Sequence, residues 1–313
     1  MTPDPHPDAP AIRCRALHKR FGETVAVCSL DLEVRRGECF GLLGPNGAGK
    51  TTTIEVLEGL QRPDGGEVEI LGMRWDHDEG AIRERLGVQL QESEFPDRMT
   101  AGEIVRMFRS FYRQGPSTEE LIDFVQLAEK ADTQVRHLSG GQRQRLSVAC
   151  ALAGSPDILF LDEPTTGLDP QSRRQLWDIC EAFLARGGTI LLTTHFMDEA
   201  EKLSDRVAIL DRGQIIAQGT PAELIRSLGG AHVIDFSATA VPPDERLGAL
   251  PSVTRVGRRG ESTLLTVEEP HRSLPPLLEM IGAAGGELTA LTTHRATLDD
   301  VFLAMTGRAL RDE

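Results

Sequence analysis

Residues 44–52 read GPNGAGKTT and lie between an apolar strand pattern, ECFGLLG, and a helical pattern that runs from about Lys50 to Leu60. The spacing is that of a phosphate-binding loop. Its glycines let backbone N–H groups curl around phosphate oxygens, and the dipole of the following helix favours an anion. The alternative is a glycine turn that happens to precede a helix. Because a strand leads into the loop and a helix leaves it, the stretch predicts a phosphate site.

Polar side chains of the loop each have an expected partner. Lys50 is expected to neutralise the β- and γ-phosphates, Thr51 to place its hydroxyl on Mg²⁺, and Thr52 to reach a phosphate. The nucleotide-binding residues predicted from this stretch are Asn46, Gly47, Ala48, Gly49, Lys50, Thr51 and Thr52.

A second stretch, ILFLDEP at residues 158–164, is an apolar strand that ends in two acids. A buried strand brings Asp162 to its carboxyl end, where the carboxylate can hold Mg²⁺ directly or through water. Glu163 comes next and is suited to polarise an attacking water. Many strands end in acids, so this stretch alone is equally consistent with an ordinary strand end. Beside a phosphate loop it predicts a hydrolytic site.

The third stretch, LSGGQRQRL at residues 138–146, opens a helix. Ser139 is expected to cap that helix, and Gly140, Gly141 and Gln142 offer backbone N–H groups that few side chains obstruct. This is an anion site suited to a γ-phosphate. The alternative is an ordinary capped helix. Arg143 and Arg145 are expected to lie on its solvated face.

Strand and helix patterns divide the chain into parts. Residues 1–11 predict a disordered lead, and residues 12–229 predict an α/β domain in which strands alternate with helices around a parallel sheet. A helical insert covers about residues 92–135, where Thr100 with Glu103 and Ser117 with Glu120 form capping boxes. Residues 230–313 have their own strand and helix patterns and predict a small α+β domain without a catalytic motif.

Composition excludes several classes of function. The chain has 313 residues, 40% of them hydrophobic and 26% charged, which is ordinary for a globular protein. Its formal net charge of −14 argues against a nucleic-acid partner. No apolar run approaches the ~20 residues of a membrane helix, and the first residues do not resemble a secretory signal. The five cysteines show no metal-site spacing and are expected to be reduced thiols of a cytosolic protein.

Taken together, these stretches resemble the ATP-binding-cassette (ABC) transporter ATPases from about residue 12 to 229. GPNGAGKTT resembles the Walker A motif, LSGGQ the family signature, ILFLDEP the Walker B motif and GLDP at 167–170 the D-loop. Gln91 in GVQLQES resembles the Q-loop glutamine, and His195 in TTHFMDEAE resembles the switch histidine. The fold that this resemblance implies is a P-loop ABC ATPase domain with a mixed sheet and a helical insert.

Several roles follow from the resemblance alone. It implies ATP with Mg²⁺ as the cofactors, and Glu163, His195 and Gln91 as the catalytic residues. His195 is expected to hold the γ-phosphate and orient Glu163, and Gln91 to contact Mg²⁺ and the attacking water. Without the resemblance, Gln91 is a polar loop residue and His195 a strand-end cap. Phe21 in HKRFGETVAV stands where the family places an aromatic that stacks on adenine, although tyrosine is commoner there; otherwise Phe21 is a core residue.

The resemblance also implies partners. Two copies are expected to form an ATP-dependent homodimer in which Ser139 of one copy caps the ATP held by Lys50 of the other. Residues 230–313, which end in TLDDVFLAMTG and a short tail, resemble the appended domain of the daunorubicin-resistance-like branch, whose members serve ABC-2-type exporters. The expected function is therefore the ATP-hydrolysing motor of a bacterial exporter of drug-like or lipid-like cargo, held at the cytoplasmic face of the membrane by a separate permease.

Two other interpretations remain. A non-transport cassette ATPase acting on ribosomes or nucleic acid usually has two cassettes or a long coiled-coil insertion, and this chain has neither pattern. A simple P-loop kinase leaves LSGGQ and His195 unexplained. An adjacent gene for a membrane protein with several spans would favour transport. The cargo is expected to be met by the membrane subunit, and antibiotics, lipids, polysaccharides and ions all remain candidates.

Overall fold

The computed structural model describes residues 9–89 and 95–306. Residues 1–8, Gln91 and the first residues of the predicted helical insert lie outside this part. Residues 9–11 were also expected in a disordered lead, but they are held in place. Arg36 donates a hydrogen bond to the carbonyl of Ala9 at 2.8 Å, and the buried Ala11 accepts the Leu71 N–H at 2.8 Å. Residues 9–11 are therefore ordered ahead of the first strand.

Two sheets form the first part of the chain. The smaller is antiparallel, in the order β2-β1-β4, with β1 Ile12–Phe21, β2 Thr24–Val34 and β4 Gly65–Ile70. The larger has the order β5-β6-β7-β3-β8-β9. Its strands are β3 Cys39–Leu43, β5 Leu86–Gln89, β6 Ile158–Asp162, β7 Thr189–Thr194, β8 Arg206–Asp211 and β9 Gln214–Gly219. Strands β5, β6, β7, β3 and β8 pair in parallel, which confirms the predicted parallel sheet.

Helices cover both faces of this parallel sheet. They are α1 Lys50–Leu57, α2 Trp75–Arg83, α3 Ala101–Arg109, α4 Thr118–Phe124, α5 Gly140–Ala151, α6 Pro170–Ala185 and α7 Met197–Leu203. Alternating residues of the strands enter opposite cores. Leu159 and Leu161 pack with α5 and α6, whereas Phe160 packs with α1 and the antiparallel sheet. Burial on both faces explains why β6 is a continuous apolar run.

The described part of the helical insert consists of α3, α4 and two 3₁₀ turns, Ala128–Lys130 and Val135–His137. Both predicted capping boxes are present. The Thr100 hydroxyl accepts the Glu103 N–H, and the Ser117 hydroxyl accepts the Glu120 N–H. In each box the glutamate carboxylate accepts the backbone N–H of the capping residue. Local sequence therefore accounts for where these helices begin.

The second compact unit is a four-stranded antiparallel sheet with helices. The strand order is β11-β12-β10-β13, with β10 His232–Ala238, β11 Val253–Arg259, β12 Ser262–Val267 and β13 Leu288–Arg295. Its helices are α8 Pro221–Arg226, α9 Asp244–Gly248, α10 Pro270–Ala283 and α11 Leu298–Thr306. Ile234, Phe236, Leu265 and Leu277 form its core. This architecture agrees with the predicted α+β pattern.

Contacts divide the chain between Ile215 and Ile216, whereas the sequence pattern predicts the boundary between residues 229 and 230. The difference has a physical cause, because α8 packs against α11 and so belongs with the second unit. The glycine pair at the end of α8 looks like a linker in the sequence. In the structure it is a helix end inside the second unit. None of the described helices is long and apolar enough to cross a membrane.

Candidate nucleotide site

The phosphate loop connects β3 to α1. Gly44, Gly47 and Gly49 have φ angles of 156°, 75° and 101°, which favour glycine over other residues. A Cβ atom on Gly49 would lie 2.3 Å from the carbonyl oxygen of Ala26, and one on Gly44 would lie 2.4 Å from that of Leu210. Neighbouring backbone therefore forces glycine at these two positions.

The first turn of α1 is open to an anion. Gly49 stands at the N-cap, and no side chain of the described residues caps the helix there. The first N–H groups of α1 thus remain available to phosphate oxygens. Asn46, Gly47 and Thr51 are exposed, Thr52 is half-buried, and Ala48 is buried. The loop therefore presents backbone and hydroxyl groups to solvent at the helix N-terminus.

Lys50 is the buried cation of the loop. Its Nζ donates to the carbonyls of Gly44 at 2.9 Å and Pro45 at 3.1 Å, and it lies 3.5 Å from Glu163 Oε1. Burial lowers the pKa of Lys50, while the neighbouring Glu163 and Asp162 carboxylates oppose that shift. The ammonium is thus positioned by two carbonyls and faces the acids at the end of β6.

Thr193 on β7 organises those acids. Its hydroxyl donates to the buried Asp162 carboxylate and accepts the Glu163 N–H at 3.0 Å. Glu163 has a φ of 46°, a left-handed conformation that a side-chain-bearing residue adopts at some energetic cost. The turn directs the Glu163 carboxylate toward Lys50 and His195. Sequence reasoning missed Thr193; the available signal was a threonine within the buried strand TILLTT.

His195 lies at the end of β7. Its Nδ1 is 3.2 Å from Glu163 Oε2, close enough for an ion pair. The angle does not suit a hydrogen bond, and Nδ1 has no hydrogen-bond partner in the described part of the chain. Phe196 packs against the imidazole with ring centroids 4.2 Å apart, and Arg173 lies over the Phe196 ring. The structure thus brings Lys50, Asp162, Glu163 and His195 together.

The signature stretch forms the N-terminus of α5, as predicted. The Ser139 hydroxyl accepts the Gln142 N–H at 3.2 Å, and the Gln142 amide oxygen accepts the Ser139 N–H at 2.9 Å. Gly140 is exposed and Gly141 is buried against Ser172, where a Cβ atom would lie 2.2 Å from the Ser172 hydroxyl. Gly141 therefore allows close packing against Ser172, and Gly140 leaves the helix N-terminus accessible to a ligand.

The prediction that Arg145 lies on a solvated face is wrong. Arg145 is buried, and its guanidinium donates to the carbonyls of Val125 at 3.1 Å and Gln126 at 2.7 Å. These carbonyls follow the end of α4, so Arg145 ties the signature helix to the helical insert. Arg143, in contrast, is exposed as expected.

Two residues predicted from the family pattern stand apart from this cluster. Phe21 at the end of β1 is 47% exposed, so it is not a core residue. The Lys19 ammonium lies over its ring, 5.2 Å from the ring centroid. Its exposed ring face suits stacking on a flat ring. Gln91 lies outside the described residues.

Glu58, the C-cap of α1, is a buried acid that the sequence analysis did not single out. Its side chain is 4% exposed, and no hydrogen-bond partner reaches either carboxylate oxygen among the described residues. Burial raises its pKa to about 8, helped by the charges of Asp162 and Glu55.

The site offers oxygen ligands that fit Mg²⁺ bound together with a nucleotide. No cluster of three or more metal-binding side chains occurs among residues 9–89 and 95–306. Mg²⁺ bound with a nucleotide needs few protein ligands, because phosphates and water supply the rest. The buried Asp162 carboxylate and the exposed Thr51 hydroxyl are oxygen ligands of the required kind.

Comparisons with known proteins agree with this geometry. Residues 27–166 match the family model described as ABC transporter. The Nod factor export ATP-binding protein I of Ralstonia nicotianae is 41% identical over 97% of this chain and 96% of that protein. The daunorubicin/doxorubicin resistance ATP-binding protein DrrA of Streptomyces peucetius is 39% identical over 96% of this chain and 94% of that protein.

Solved structures place the fold in the same group. The ATP-binding subunit of an ABC transporter aligns with a TM-score of 0.63 and 28% identity, covering 70% of this chain and 93% of that one. A dimeric ATP-binding cassette in a post-hydrolysis state, bound to ADP and Pi, aligns with a TM-score of 0.60 and 26% identity, covering 67% and 98%. The chain therefore belongs to the ABC transporter family, as one of the ATP-hydrolysing subunits that serve exporters.

Proposed function

We propose that two copies of this chain close around ATP and Mg²⁺ and that hydrolysis reopens them, which drives a separate membrane permease. The main support for the proposal is the position of the Glu163 carboxylate, which lies 3.5 Å from Lys50 Nζ and 3.2 Å from His195 Nδ1. A base, a cation and an imidazole thus meet at the uncapped N-terminus of α1. This is the set of groups that phosphoryl transfer to water requires.

Each residue has a chemical role in this proposal. Lys50 binds the β- and γ-phosphates and neutralises charge that develops on the γ-phosphoryl group. Phosphate oxygens compete with Glu163 for the Lys50 ammonium, and this frees the carboxylate to accept a proton from the attacking water. His195 holds the γ-phosphate and keeps Glu163 oriented. Water then displaces ADP from the γ-phosphorus, and ADP and phosphate are the products.

Further contacts complete the site. Thr51, Asp162 and Gln91 would hold Mg²⁺, which would supply positive charge to the phosphates. Phe21 stacks on adenine, and the backbone of residues 46–52 surrounds the phosphates. Gln91 also contacts the attacking water and reports nucleotide occupancy to the helical insert.

We further propose that the signature acts across the dimer. Ser139 and Lys50 each stand at a helix N-terminus, and two such termini attract one γ-phosphate but repel each other without it. An interface of this kind closes only with ATP. The family relationship to cassettes that were solved as dimers supports this arrangement.

The permease would be of the ABC-2 type, with the chain on the cytoplasmic face of the membrane. The cargo proposed is drug-like or lipid-like. The names of DrrA and of the Nod factor export proteins, which describe drug resistance and export, support this choice. Copurification of the permease, followed by a screen for compounds that stimulate ATP hydrolysis, would identify the cargo.

A mixed dimer tests the shared site. One chain carries Lys50→Ala, the other carries Ser139→Arg, and both carry Glu163→Gln so that ATP is trapped rather than hydrolysed. If sites are shared, one site of the mixed dimer collects both lesions and the other is intact. We therefore expect mixed dimers, isolated through two different tags, to trap ATP at one of their two sites.

The two mutant homodimers are the controls, because each has two damaged sites. Trapping in the mixed dimers no greater than in either homodimer would mean that each site lies within one chain. Trapping avoids a complication of turnover measurements, since hydrolysis at one site can require the other.

A further inference from the structure

Glu199 on α7 is a buried acid that the proposed reaction does not use. Its side chain is 0% exposed, and the indole N–H of Trp177 on α6 donates to its Oε1 at 3.2 Å. Its Oε2 has no hydrogen-bond partner in the part of the chain that the structure describes. A buried carboxylate is destabilising unless neighbouring groups compensate it. The groups around Glu199 therefore show what it can do.

Two buried threonines lie near this carboxylate, and each stands beside a residue of the proposed catalytic set. Thr194 directly precedes His195, and Thr165 follows Glu163 by two positions. Burial raises the pKa of Glu199, and the hydroxyls of Thr194 and Thr165 are close enough to oppose that shift. The carboxylate thus faces the ends of both strands that carry the catalytic groups.

Thr194 shapes the turn that carries His195. Its hydroxyl accepts the Phe196 N–H at 2.9 Å. A hydroxyl that accepts a hydrogen bond still has a proton to donate, and the carboxylate of Glu199 is a suitable acceptor. A change in the position of Thr194 would therefore move the backbone on both sides of the imidazole.

Thr165 belongs to the turn that follows β6. Its carbonyl accepts the Leu168 N–H at 3.1 Å, and the Thr166 N–H donates to the carbonyl of Glu163 at 3.2 Å. The Thr166 hydroxyl also donates to Glu163 Oε2 at 3.3 Å. The Thr165 hydroxyl and the Glu163 carboxylate are thus joined by one short stretch of hydrogen-bonded backbone.

Buried polar atoms around Glu199 have hydrogen-bonding capacity that is not used. Glu199 Oε2, Thr165 Oγ1 and Arg173 Nε all lack a partner within residues 9–89 and 95–306. Arg173 lies on α6, and its charge also opposes the raised pKa of Glu199. An unsatisfied buried group is costly. Because a hydroxyl donates and a carboxylate oxygen accepts, a small movement of the turn would satisfy Thr165 and Glu199 together.

We propose that Glu199 is a positioning residue for ATP hydrolysis, which binds the hydroxyls of Thr165 and Thr194. These bonds set the separation between the Glu163 carboxylate and the His195 imidazole. The proposal rests on the function proposed above. Once phosphate oxygens have displaced Glu163 from the lysine of the phosphate loop, the turn that carries Thr165 closes onto Glu199. In this role the Glu199 carboxylate touches neither the nucleotide nor the attacking water.

A pair of variants at Thr165 tests this role in the full-length chain. Thr165→Val removes the hydroxyl but keeps the shape of the side chain, whereas Thr165→Ser keeps the hydroxyl. We expect Thr165→Val to lower kcat about tenfold and to leave KM for ATP within about twofold of the parent, because a misplaced base slows the chemical step. Thr165→Ser should recover most of the rate. Equal kcat values for the two variants would overturn the proposal.

Glu199→Gln tests the acceptor itself. The amide keeps the size of the carboxylate and one acceptor oxygen but loses the other. We expect kcat to fall about tenfold with KM for ATP unchanged. Glu201→Gln, which changes an exposed acid on the same helix, is the matched control and should keep the parent's rate. Melting temperatures identify any variant that fails to fold. A kcat for Glu199→Gln equal to that of Glu201→Gln would contradict the role of Glu199.

Removal of the Glu163 carboxylate separates a positioning role from a purely structural one. If the Thr165 hydroxyl acts through that carboxylate, its effect vanishes when the carboxylate is absent. In single-turnover hydrolysis by chains that carry Glu163→Gln, we expect Thr165→Val to change the residual rate by less than about twofold. A further loss of about tenfold, additive with the first, would show that the hydroxyl only stabilises the fold and would refute the proposal.

The same measurements separate this proposal from the proposed function. Turnover of Glu163→Gln near that of the parent would overturn the proposed function, whatever the result at Thr165. Loss of turnover in Glu163→Gln, together with equal rates for Thr165→Val and Thr165→Ser, would leave the proposed function in place and remove Glu199 from it.

Discussion

The N-termini of α1 and α5 are both expected to meet the same phosphate, yet they are built in opposite ways. Helix α1 starts after a glycine with no side-chain cap among the described residues. Helix α5 starts with a complete capping box between Ser139 and Gln142. Helix α1 leaves its first backbone N–H groups free to bind a ligand. Helix α5 satisfies part of its first N–H groups with its own side chains. An uncapped start is costly without the ligand, whereas a capped start keeps its shape in either state.

The C-terminus of α1 also differs from the capped start of α5. Glu58 at its C-cap is a buried acid without a hydrogen-bond partner among the described residues, and its charge would lie at the negative end of the helix dipole. Helix α1 is thus unfavourable at both ends, whereas α5 is satisfied where it begins. The chain thus gives up stability at the phosphate loop and keeps it at the signature.

The largest expected effect concerns the acid that faces α1. Glu163→Gln cannot accept a proton from water, so we expect the hydrolysis rate to fall about 10³-fold, or about 4 kcal/mol. ATP binding should persist, and the variant should accumulate as an ATP-bound dimer. Steady-state hydrolysis and nucleotide retention measure the two effects. Glu181→Gln, an exposed carboxylate paired with Lys202, is the control. Turnover near that of the parent would remove Glu163 from the mechanism.

The next effect concerns the C-terminus of α1 and depends on pH. The pKa of Glu58 is raised from 4.5 to about 8 in the folded chain. Between these values the unfolded chain has lost a proton that the folded chain keeps, so stability falls as pH rises toward 8. We expect Glu58→Gln to remove that loss. The stability of Glu58→Gln relative to the parent should increase by about 4 kcal/mol from pH 4.5 to 8 and level off above pH 8.

Thermal unfolding across this pH range measures the Glu58 effect. Glu55→Gln lies on the same helix and is half-buried, so it tests whether any glutamate of α1 behaves alike. The change of the stability difference with pH is the result to compare, and not the size of that difference. Burying the glutamine amide costs a free energy that does not depend on pH. A stability difference that does not change with pH would contradict the raised pKa.

A smaller effect is expected at the N-terminus of α1. Lys50→Ala removes the cation that meets the phosphates, and we expect ATP affinity to fall about 100-fold, or about 2.7 kcal/mol. Equilibrium binding of a fluorescent ATP analogue measures it. Lys202→Ala removes an exposed lysine from the same unit and should leave affinity unchanged. Similar affinities for the two variants would show that the backbone of the loop binds phosphate by itself.

The smallest effect tests the capped helix. Ser139→Ala breaks the capping box and should cost about 1 kcal/mol of stability, which lowers the melting temperature by about 2–4 °C. Ser117→Ala breaks the same kind of box at α4 and should cost a similar amount. Only Ser139→Ala should also weaken the ATP-bound dimer. Equal dimerisation of both variants would limit Ser139 to a structural role.

Features that depend on nearby residues were predictable from the sequence, and those that depend on distant ones were not. The capping boxes at Thr100, Ser117 and Ser139 involve residues three apart, so their helix starts were predicted. Burial of Arg145 depends on carbonyls about twenty residues earlier. The hydroxyl of Thr193 meets a carboxylate 31 residues away. Neither partner could be found from local pattern.

Other misses have similar causes. Helix α2 buries only Ile82 and is interrupted by non-helical backbone at Asp78, so it shows no apolar period. The domain boundary was placed after α8, since the contact between α8 and α11 spans the whole second unit. The phosphate loop, by contrast, was predictable from its glycine spacing between a strand and a helix, although two of its glycines are also required by the distant carbonyls of Ala26 and Leu210.

The turn between β8 and β9 is hydrogen-bonded to the backbone of the phosphate loop. The Gly213 N–H donates to the carbonyl of Ala48 at 2.9 Å, and the Gly213 carbonyl accepts the Cys28 N–H at 2.8 Å. The loop backbone is therefore ordered when the chain folds, at an entropic cost of about 1–2 kcal/mol per residue. ATP does not meet that cost again when it binds. Association with the nucleotide should accordingly be a single fast phase, limited by collision rather than by rearrangement of the loop.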